Sequence, residues 1–407
     1  MPRKRALVLL LLSACATTDK PLPHEPVHAA PGAVSFCRGW QRALRGNLSY
    51  VSATPDGSRL AVSTSADEGR PRGFEARLRV LNARGKTLWS RWLGQPVKGQ
   101  AISADGSLVA VSTYEDLLYL FNASGKLLWK KERLGTPVIL SKAGRVLLVN
   151  DDDSDPETAF VTYDLAGRVV GTARAARDAE PMDTNVSSDE SIVAFALNPK
   201  KWQARAVDGK IVGEGSLSGN AAAVTAFSSP DSPAKAVYVL YSGGGRAQRL
   251  SGFELPSGRA LWDVALDRHY LIIRALDVNG RAILVLYGNA ADGQALAAHD
   301  GADGRELWKH AYPVPAVDSS PVFVARKSKT LPAIATATLN MGPEADGGKP
   351  GILHLTGLLA SGESAFDVAL EAPDGVFWYA YAPFGPALAA GAGEPGDAVL
   401  YYFRRCK

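Results

Sequence analysis

The amino-acid sequence predicts an all-β protein, an eight-bladed β-propeller closed by its N-terminal strand. Three observations support this fold class: a turn motif that recurs through the chain, a pair of hairpins in each repeat, and two cysteines near opposite ends of the chain. The repeat carries most weight, because a period of roughly 40 to 50 residues is the length of one four-stranded propeller blade.

The turn motif is a glycine followed four residues later by a large apolar residue. Its fullest copy lies within Ala298 to Trp308, and the glycines of successive copies are separated by 40, 42, 42, 49, 46 and 58 residues. Glycine supplies the positive φ that tight turns require. The copies are Gly85 with Trp89, Gly125 with Trp129, Gly258 with Trp262, Gly304 with Trp308, Gly362 with Phe366, and weaker ones at Gly167 and Gly209.

Each motif lies in the second of two predicted hairpins. The apolar run from Leu117 to Phe121 predicts a strand, Asn122 to Gly125 a turn, and Leu127 onwards the return strand. Earlier hairpins bend at Asp-Gly pairs such as Asp105 and Gly106. Two hairpins in each repeat give a four-stranded blade.

This pattern divides the chain into eight blades. Where most blades carry tryptophan, the third and fourth carry Gly171 and Gly213, so we expect these two to be the least tightly docked. Seven blades is the alternative, because residues 313–371 are irregular. The predicted blades are residues 47–93, 94–134, 135–176, 177–218, 219–266, 267–312, 313–371, and 372–403 combined with 34–43.

Two cysteines, Cys37 and Cys406, lie near the two ends of the predicted propeller. If the N-terminal segment supplies the fourth strand of the last blade, both fall where other blades have a connecting turn. A disulfide is then expected between them, and it would close a long loop in an exported protein. Unpaired or intermolecular thiols are the alternative.

The N-terminus has the pattern of an export signal. A basic start is followed by an apolar run from Ala6 to Leu12, which is too short to span a bilayer. The residues Leu12-Ser13-Ala14-Cys15 resemble the bacterial lipobox, in which the cysteine becomes acylated. The sequence thus predicts a signal peptide over 1–14, a lipid-anchored tether over 15–33 and one propeller domain over 34–407. An ordinary secretory signal with a chance cysteine is the alternative.

Net charge and the N-terminal cysteine limit where the protein is expected to be located and what it is expected to bind. A net charge of +4 over 407 residues, without a basic run, argues against nucleic acid. Acyl chains on Cys15 would anchor the protein to a membrane. In enteric lipoproteins, which this N-terminus resembles, an aspartate after the cysteine is associated with retention in the inner membrane. Ala16 stands in that place, so the resemblance implies an anchor in the outer membrane, with the protein facing the periplasm or the cell surface. We also expect a monomer.

The spacing of Ala298, Asp300, Gly304 and Trp308, with a partial copy ending at Trp262, resembles the tryptophan-docking repeat of pyrroloquinoline-quinone-type propellers. That superfamily includes quinoprotein alcohol dehydrogenases and the lipid-anchored propeller of the outer-membrane β-barrel assembly machinery. The Asp-Gly bends of the first two blades look like WD40-type repeats instead. The resemblance implies that one large aromatic residue of a blade stacks on its neighbour. The predicted docking residues are Trp40, Trp89, Trp129, Trp262, Trp308 and Phe366.

Motifs for chemistry are sparse. The quinoprotein enzymes resemble one another in an adjacent-cysteine disulfide and a calcium site, and this chain has no Cys-Cys pair. No catalytic residue and no cofactor is predicted. Carboxylates at Asp151, Asp153 and Asp155 are weak candidates for calcium, but a solvated acidic hairpin tip is the favoured interpretation.

The predicted connections between second and third strands are the long ones, and in a propeller they emerge on one face. Mere tolerated insertions are the alternative. We therefore predict a non-catalytic envelope scaffold that binds a protein partner through this long-loop face. A periplasmic quinoprotein-like enzyme, or a propeller that binds a small molecule in its central channel, is the alternative. The predicted long loops are residues 65–75, 150–158, 242–249, 288–294, 340–351 and 389–397.

Overall fold

The computed structural model places its described residues in strands, turns and short connections. The predicted signal peptide, the tether, Cys15, Cys406 and the Asp151–Asp155 cluster lie outside the described residues. The described ranges are 36–66, 75–132, 135–140, 144–149, 158–174, 181–187, 189–197, 200–229, 231–243, 247–290, 293–312, 322–323, 334–340, 351–358, 361–372, 378–384, 387–394 and 397–405.

The described residues form eight antiparallel sheets of four strands each, which matches the eight predicted blades. The first sheet contains β2 (Asn47–Ala53), β3 (Arg59–Ala66), β4 (Glu75–Asn82) and β5 (Thr87–Leu93). The second contains β6 (Val97–Ile102), β7 (Leu108–Thr113), β8 (Leu117–Asn122) and β9 (Leu127–Glu132). The third contains β10 (Thr136–Leu140), β11 (Arg145–Val149), β12 (Thr158–Asp164) and β13 (Val169–Arg174).

The fourth and later sheets repeat this order. The fourth contains β14 (Pro181–Val186), β15 (Ile192–Leu197), β16 (Lys201–Ala206) and β17 (Ile211–Ser216). The fifth contains β18 (Ala221–Ser229), β19 (Ser232–Ser242), β20 (Gln248–Glu254) and β21 (Ala260–Ala265). The sixth contains β22 (Ile272–Val278), β23 (Arg281–Ala290), β24 (Gly293–Asp300) and β25 (Glu306–Tyr312). The seventh contains β26 (Val322–Phe323), β27 (Ile334–Asn340), β28 (Gly351–Leu358) and β29 (Ser364–Ala372).

The two ends of the chain meet in the eighth sheet. It contains β30 (Trp378–Phe384), β31 (Ala387–Glu394), β32 (Asp397–Arg405) and, as its fourth strand, β1 (Phe36–Arg45). The ladder between β1 and β32 is antiparallel and runs from Phe36 opposite Arg405 to Arg45 opposite Asp397. This confirms the predicted closure by an N-terminal strand. Cys37 lies opposite Arg404, two residues before Cys406, and the disulfide stays a prediction.

The first strand of each sheet is the innermost one. β2 contacts β6 on one side and β30 on the other, β6 contacts β10, and β18 contacts β14 and β22. The core lies between adjacent sheets: one cluster joins Val80 of the first sheet to Val111 and Phe121 of the second. Because each sheet buries both of its faces against neighbours, the middle strands read as nearly continuous apolar runs.

The turns are held by side chains that cap backbone N–H groups. Between the third and fourth strands of the second sheet, Asn122 Oδ1 accepts from the amides of Ser124 (3.1 Å) and Lys126 (2.9 Å). Between the first and second strands, Asp105 Oδ1 accepts from the Ser103 hydroxyl at 2.6 Å and from the Ser107 amide at 2.9 Å. Short polar side chains in such turns bond the backbone a few residues on, which explains the Asn and Asp of the repeat.

Candidate functional site

The predicted docking tryptophans lie against turn glycines of the next sheet. A Cβ atom on Gly125 would lie 2.6 Å from Cδ2 of Trp89, and one on Gly304 would lie 2.6 Å from Cε3 of Trp262. Only a residue without a side chain allows such an approach, so glycine is required both for its conformation and for the space it leaves. The same contact joins Trp40 to Gly85, Trp129 to Gly167 and Trp308 to Gly362. The side chain of Phe366 lies outside the described part of the structure.

Several indoles also bond to the backbone across the sheet boundary. Trp40 Nε1 donates to the carbonyl of Ala83 at 3.0 Å, and Trp262 Nε1 donates to that of Gly301 at 3.0 Å. Trp129 Nε1 donates to the carbonyl of Leu165 at 3.1 Å. Each ring therefore fixes the position of the neighbouring turn as well as filling the space beside it.

In the third and fourth sheets, glycine stands where the other sheets have a docking tryptophan. A Cβ on Gly171 would lie 2.5 Å from the carbonyl oxygen of Val207, and one on Gly213 would lie 2.5 Å from Cδ2 of Leu255. Glycine here lets the next sheet approach directly, so the absence of tryptophan does not leave a gap. The expectation that these two sheets are the least tightly docked stays a prediction, because these distances show how closely the sheets approach and not how strongly they are held.

Two of the six predicted long loops are tight hairpins. β23 and β24 pair as far as Ala290 opposite Gly293, and β31 and β32 pair as far as Glu394 opposite Asp397. Their alanine- and glycine-rich sequences read as loops, yet ladder hydrogen bonds depend on the backbone and not on side-chain size. In the connection over residues 242–249, Ser242 pairs with Gln248 and the Gly243 amide donates to the Ala247 carbonyl at 2.9 Å. The other three predicted long connections lie mostly outside the described residues.

The loop face still has described features that sequence patterns missed. In an antiparallel four-stranded sheet, connections between second and third strands share one end with connections to the next sheet. Tyr114, in the short connection from β7 to β8, is 65% exposed, and its amide donates to the Pro96 carbonyl at 3.1 Å. Leu271, in the connection from β21 to β22, is 58% exposed. These apolar side chains are presented on backbone that the ring holds in place.

Charged and polar groups lie on the innermost strands. Burial raises the pKa of Asp183 on β14, while the positive charge of Arg274 on β22 and the Val224 amide, 2.9 Å from Asp183 Oδ2, oppose that rise. Burial also lowers the pKa of Arg274. The two opposite charges come from sheets that flank the fifth sheet, and each influences the pKa of the other, but they form no ion pair among the described residues. Neither residue belongs to a recognisable motif, so the sequence offered no signal for the pair.

Candidate groups for catalysis are few in the described part of the chain. No group of three His, Cys, Asp or Glu residues there could hold a metal ion. His299 is buried and its Nδ1 lies 2.9 Å from the carbonyl oxygen of Gly304, so it supports the turn of its own sheet.

Among the described residues, no helix has the length and the apolar character needed to cross a membrane.

Comparison with known proteins agrees with this architecture. Residues 75–245 match a family model described as outer membrane protein assembly factor BamB. A sequence search of curated proteins found no match. The crystal structure of BamB from Moraxella catarrhalis is similar, with a TM-score of 0.55, 15% identity and coverage of 89% of this chain and 98% of that one.

The propeller Sqt1 from Chaetomium thermophilum is also similar in structure. Its complex with the N-terminus of the ribosomal protein L10 has a TM-score of 0.59, 12% identity and coverage of 87% of this chain and 96% of that one. A second structure of Sqt1 has the same TM-score and identity, and covers 93% and 98%. At these identities the likeness concerns the fold.

The sheets and their tryptophan contacts thus define the class of protein: a β-propeller, whose residues 75–245 match a model of pyrroloquinoline-quinone-type repeats. Within that class it is similar to BamB over residues 75–245 in sequence and over most of its length in structure.

Proposed function

We propose that this protein is a non-catalytic lipoprotein of the cell envelope that binds a protein partner through its loop face. The observation that carries the proposal is the exposure of Tyr114 and Leu271 on that face. Tyrosine is enriched in protein interfaces because it combines a large apolar ring with a polar hydroxyl. Loops on a rigid scaffold are also where binding residues concentrate.

The similar structures favour this role without specifying the partner. BamB is described as an assembly factor and Sqt1 was crystallised with the N-terminus of L10, so both names connect the fold with protein binding. A propeller also hosts enzymes, and fold alone does not imply function.

Crosslinking in intact cells, followed by mass spectrometry, tests the role. A photoreactive residue at position 114 is expected to crosslink to one envelope protein, and the same residue at position 211 on the outer strand of the fourth sheet is the control. Ile211 is also exposed, but it lies outside the loop face. Equal crosslinking to many proteins at both positions would remove the basis for a specific partner on the loop face.

The opposite charges of Asp183 and Arg274, both on innermost strands, favour a second function, a small-molecule site in the central channel. Reconstitution with pyrroloquinoline quinone and calcium separates the two. A stoichiometric bound chromophore would replace the scaffold proposal by a quinoprotein-like one, whereas its absence together with a crosslinked partner supports the scaffold.

The anchor and the disulfide are proposals of their own. Labelled palmitate is expected to enter the wild-type chain and not the Cys15→Ser variant. A peptide map under non-reducing conditions is expected to contain Cys37 joined to Cys406, and reduction should separate the two peptides. Separate free thiols would contradict the disulfide and leave the sheet closure by β1 and β32 intact.

A further inference from the structure

We propose that the outer edge of the first and second sheets binds the surface of an anionic phospholipid membrane and thereby orients the ring beside its anchor. The proposal concerns the outer strands β5 and β9 with the turns that precede them, residues 83–93 and 123–132. We call this surface the basic rim. It rests on the proposed envelope location and goes beyond the partner-binding role of the loop face.

Charge on the outer edges of the ring is distributed unevenly. The basic rim contains six lysines and arginines and one carboxylate, Glu132. The equivalent segments of the fifth and sixth sheets, residues 255–265 and 301–312, contain three cations and three carboxylates. The six cations of the basic rim are Arg84, Lys86, Arg91, Lys126, Lys130 and Lys131.

The pairing of these charges differs as well. Across the ring, Lys210 pairs with Asp208 at 3.2 Å and Arg259 with Glu254 at 3.2 Å, while Lys309 pairs with Asp267. Within the described part of the chain, none of the six rim cations forms such an ion pair. Their charge is thus available to an external anion.

Apolar side chains accompany the cations. Leu88, Trp92, Leu127 and Leu128 are each between 42% and 47% exposed on the same two outer segments. In the outer segments of the fifth and sixth sheets, Leu261 is the one exposed large apolar side chain among those described. The third sheet, next to the rim, exposes Leu165, Val169 and Val170, and the fourth exposes Ile211. Basic side chains mixed with Leu and Trp are typical of surfaces that lie in the interface of anionic bilayers.

The position of the rim relative to the N-terminus supports a membrane as the occupant. Trp40 of β1 packs on Gly85, and Arg42 Nη1 donates to the Gly85 carbonyl at 2.6 Å, so the strand that follows the N-terminal segment borders the rim directly. Arg42 and Arg45 extend the positive charge onto β1. Twenty residues separate Cys15 from β1 and span at most about 70 Å when extended. An acylated Cys15 would therefore leave this side of the ring within reach of the bilayer.

Protection of exposed sheet edges is the competing explanation, because lysines on edge strands prevent aggregation. All eight sheets, however, end in an outer strand, and edge protection needs charge of either sign on each. It does not account for the concentration, on two neighbouring sheets, of cations that form no ion pair within the described residues.

Vesicle cosedimentation tests the proposal with the full chain carrying Cys15→Ser, so that binding does not depend on acylation. Vesicles of phosphatidylglycerol and phosphatidylcholine (about 30:70) are compared with phosphatidylcholine alone. Each cation near an anionic surface increases affinity roughly fivefold. We therefore expect K86Q/K126Q/K130Q to lower the partition coefficient roughly 100-fold. The control K210Q/R259Q/R305Q removes the same charge at turns of the fourth to sixth sheets and is expected to change it less than threefold.

Thermal unfolding verifies that the variants fold, and L127S/L128S provides a second test that leaves the charge unchanged. This variant is expected to weaken binding at least fivefold and to retain the preference for anionic vesicles. Equal binding to both vesicle types, or an equal loss in the control, would overturn the proposal. Binding of poly-L-glutamate in place of vesicles would also overturn it, and would indicate an acidic protein instead. Palmitate labelling and crosslinking at position 114 test the anchor and the protein partner separately. A variant series without an effect on vesicle binding would therefore refute the basic rim and not the proposed function.

Discussion

The contact between Trp89 and Gly125 offers a direct test of how the sheets are held together. Replacing Gly125 by alanine adds one methyl group at a turn with φ of +77°. That Cβ would lie 2.6 Å from Cδ2 and 2.8 Å from Cγ and Cε3 of Trp89, so the ring must move. Gly144→Ala is the matched control, because its φ is +61° and its Cβ would meet nothing closer than Leu165 Cδ1 at 4.0 Å.

The two variants share the cost of placing alanine in the left-handed region, roughly 1 to 2 kcal/mol. Gly125→Ala adds the cost of overpacking, which is typically about 1 to 3 kcal/mol. Trp89 Nε1 has no hydrogen-bond partner in the described structure, so movement of the ring breaks no such bond. We therefore expect Gly125→Ala to lower the free energy of unfolding by about 1 to 2 kcal/mol more than Gly144→Ala does.

Urea unfolding, followed by circular dichroism and tryptophan fluorescence, measures this difference. A double-mutant cycle with Trp89→Phe assigns it: the smaller ring should reduce the cost of Gly125→Ala, which gives a coupling energy between the two positions. Equal costs at Gly125 and Gly144, or no coupling with Trp89, would show that the turn conformation alone requires glycine and that the docking argument is incorrect.

Three further predictions concern other contacts of the ring. Trp262→Phe removes the 3.0 Å bond to the Gly301 carbonyl and should lower the free energy of unfolding by about 1 to 2 kcal/mol, measured by urea unfolding; a cost no larger than that of Trp89→Phe, which has no such bond, would contradict it. Asn122→Ala removes a cap that accepts from two amides and should cost about 1 kcal/mol in the same assay, whereas Ala123→Ser, one residue on, should change little. Hydrogen bonds from Ser103 and Ser107 lower the pKa of Asp105 to about 2, so its contribution to stability is present above its unfolded pKa of about 4 and is lost as pH falls towards 2. The stability difference between wild type and Asp105→Asn should therefore shrink between pH 4 and pH 2, and a constant difference would refute the assignment.

The repeat could be recognised in the sequence because the residues that determine each turn and strand lie within the same short stretch of the chain. Asn122 caps a turn, Gly125 supplies positive φ, and the apolar run before them forms a middle strand, all within one short stretch. The predicted blade over residues 47–93 accordingly contains β2 to β5 with the same outer bounds. Local propensity and global architecture agree there, and such agreement makes a fold predictable.

The structure of the loop face was less predictable, because the amino-acid composition of a segment does not determine whether its backbone pairs with a neighbouring strand. Ala290 and Gly293, like Glu394 and Asp397, form the ends of hairpins whose Ala/Gly-rich sequences resemble loops. Tyr114 was missed since a single tyrosine between two strands has no distinguishing pattern in sequence. Its exposure depends on where the ring places that connection.

Sequence information was sufficient for the four-stranded units and their order, because hairpins and turns depend on residues close together in the chain. The closure by β1 was predicted because the last repeat has three strands and the N-terminal segment supplies the fourth. Proximity between sheets required the three-dimensional structure. The approach of Gly171 to Val207, the effect of Arg274 on the pKa of Asp183, and the basic rim each join residues from different sheets or compare opposite sides of the ring. No local pattern records such distances, since they arise from how whole sheets pack around the axis.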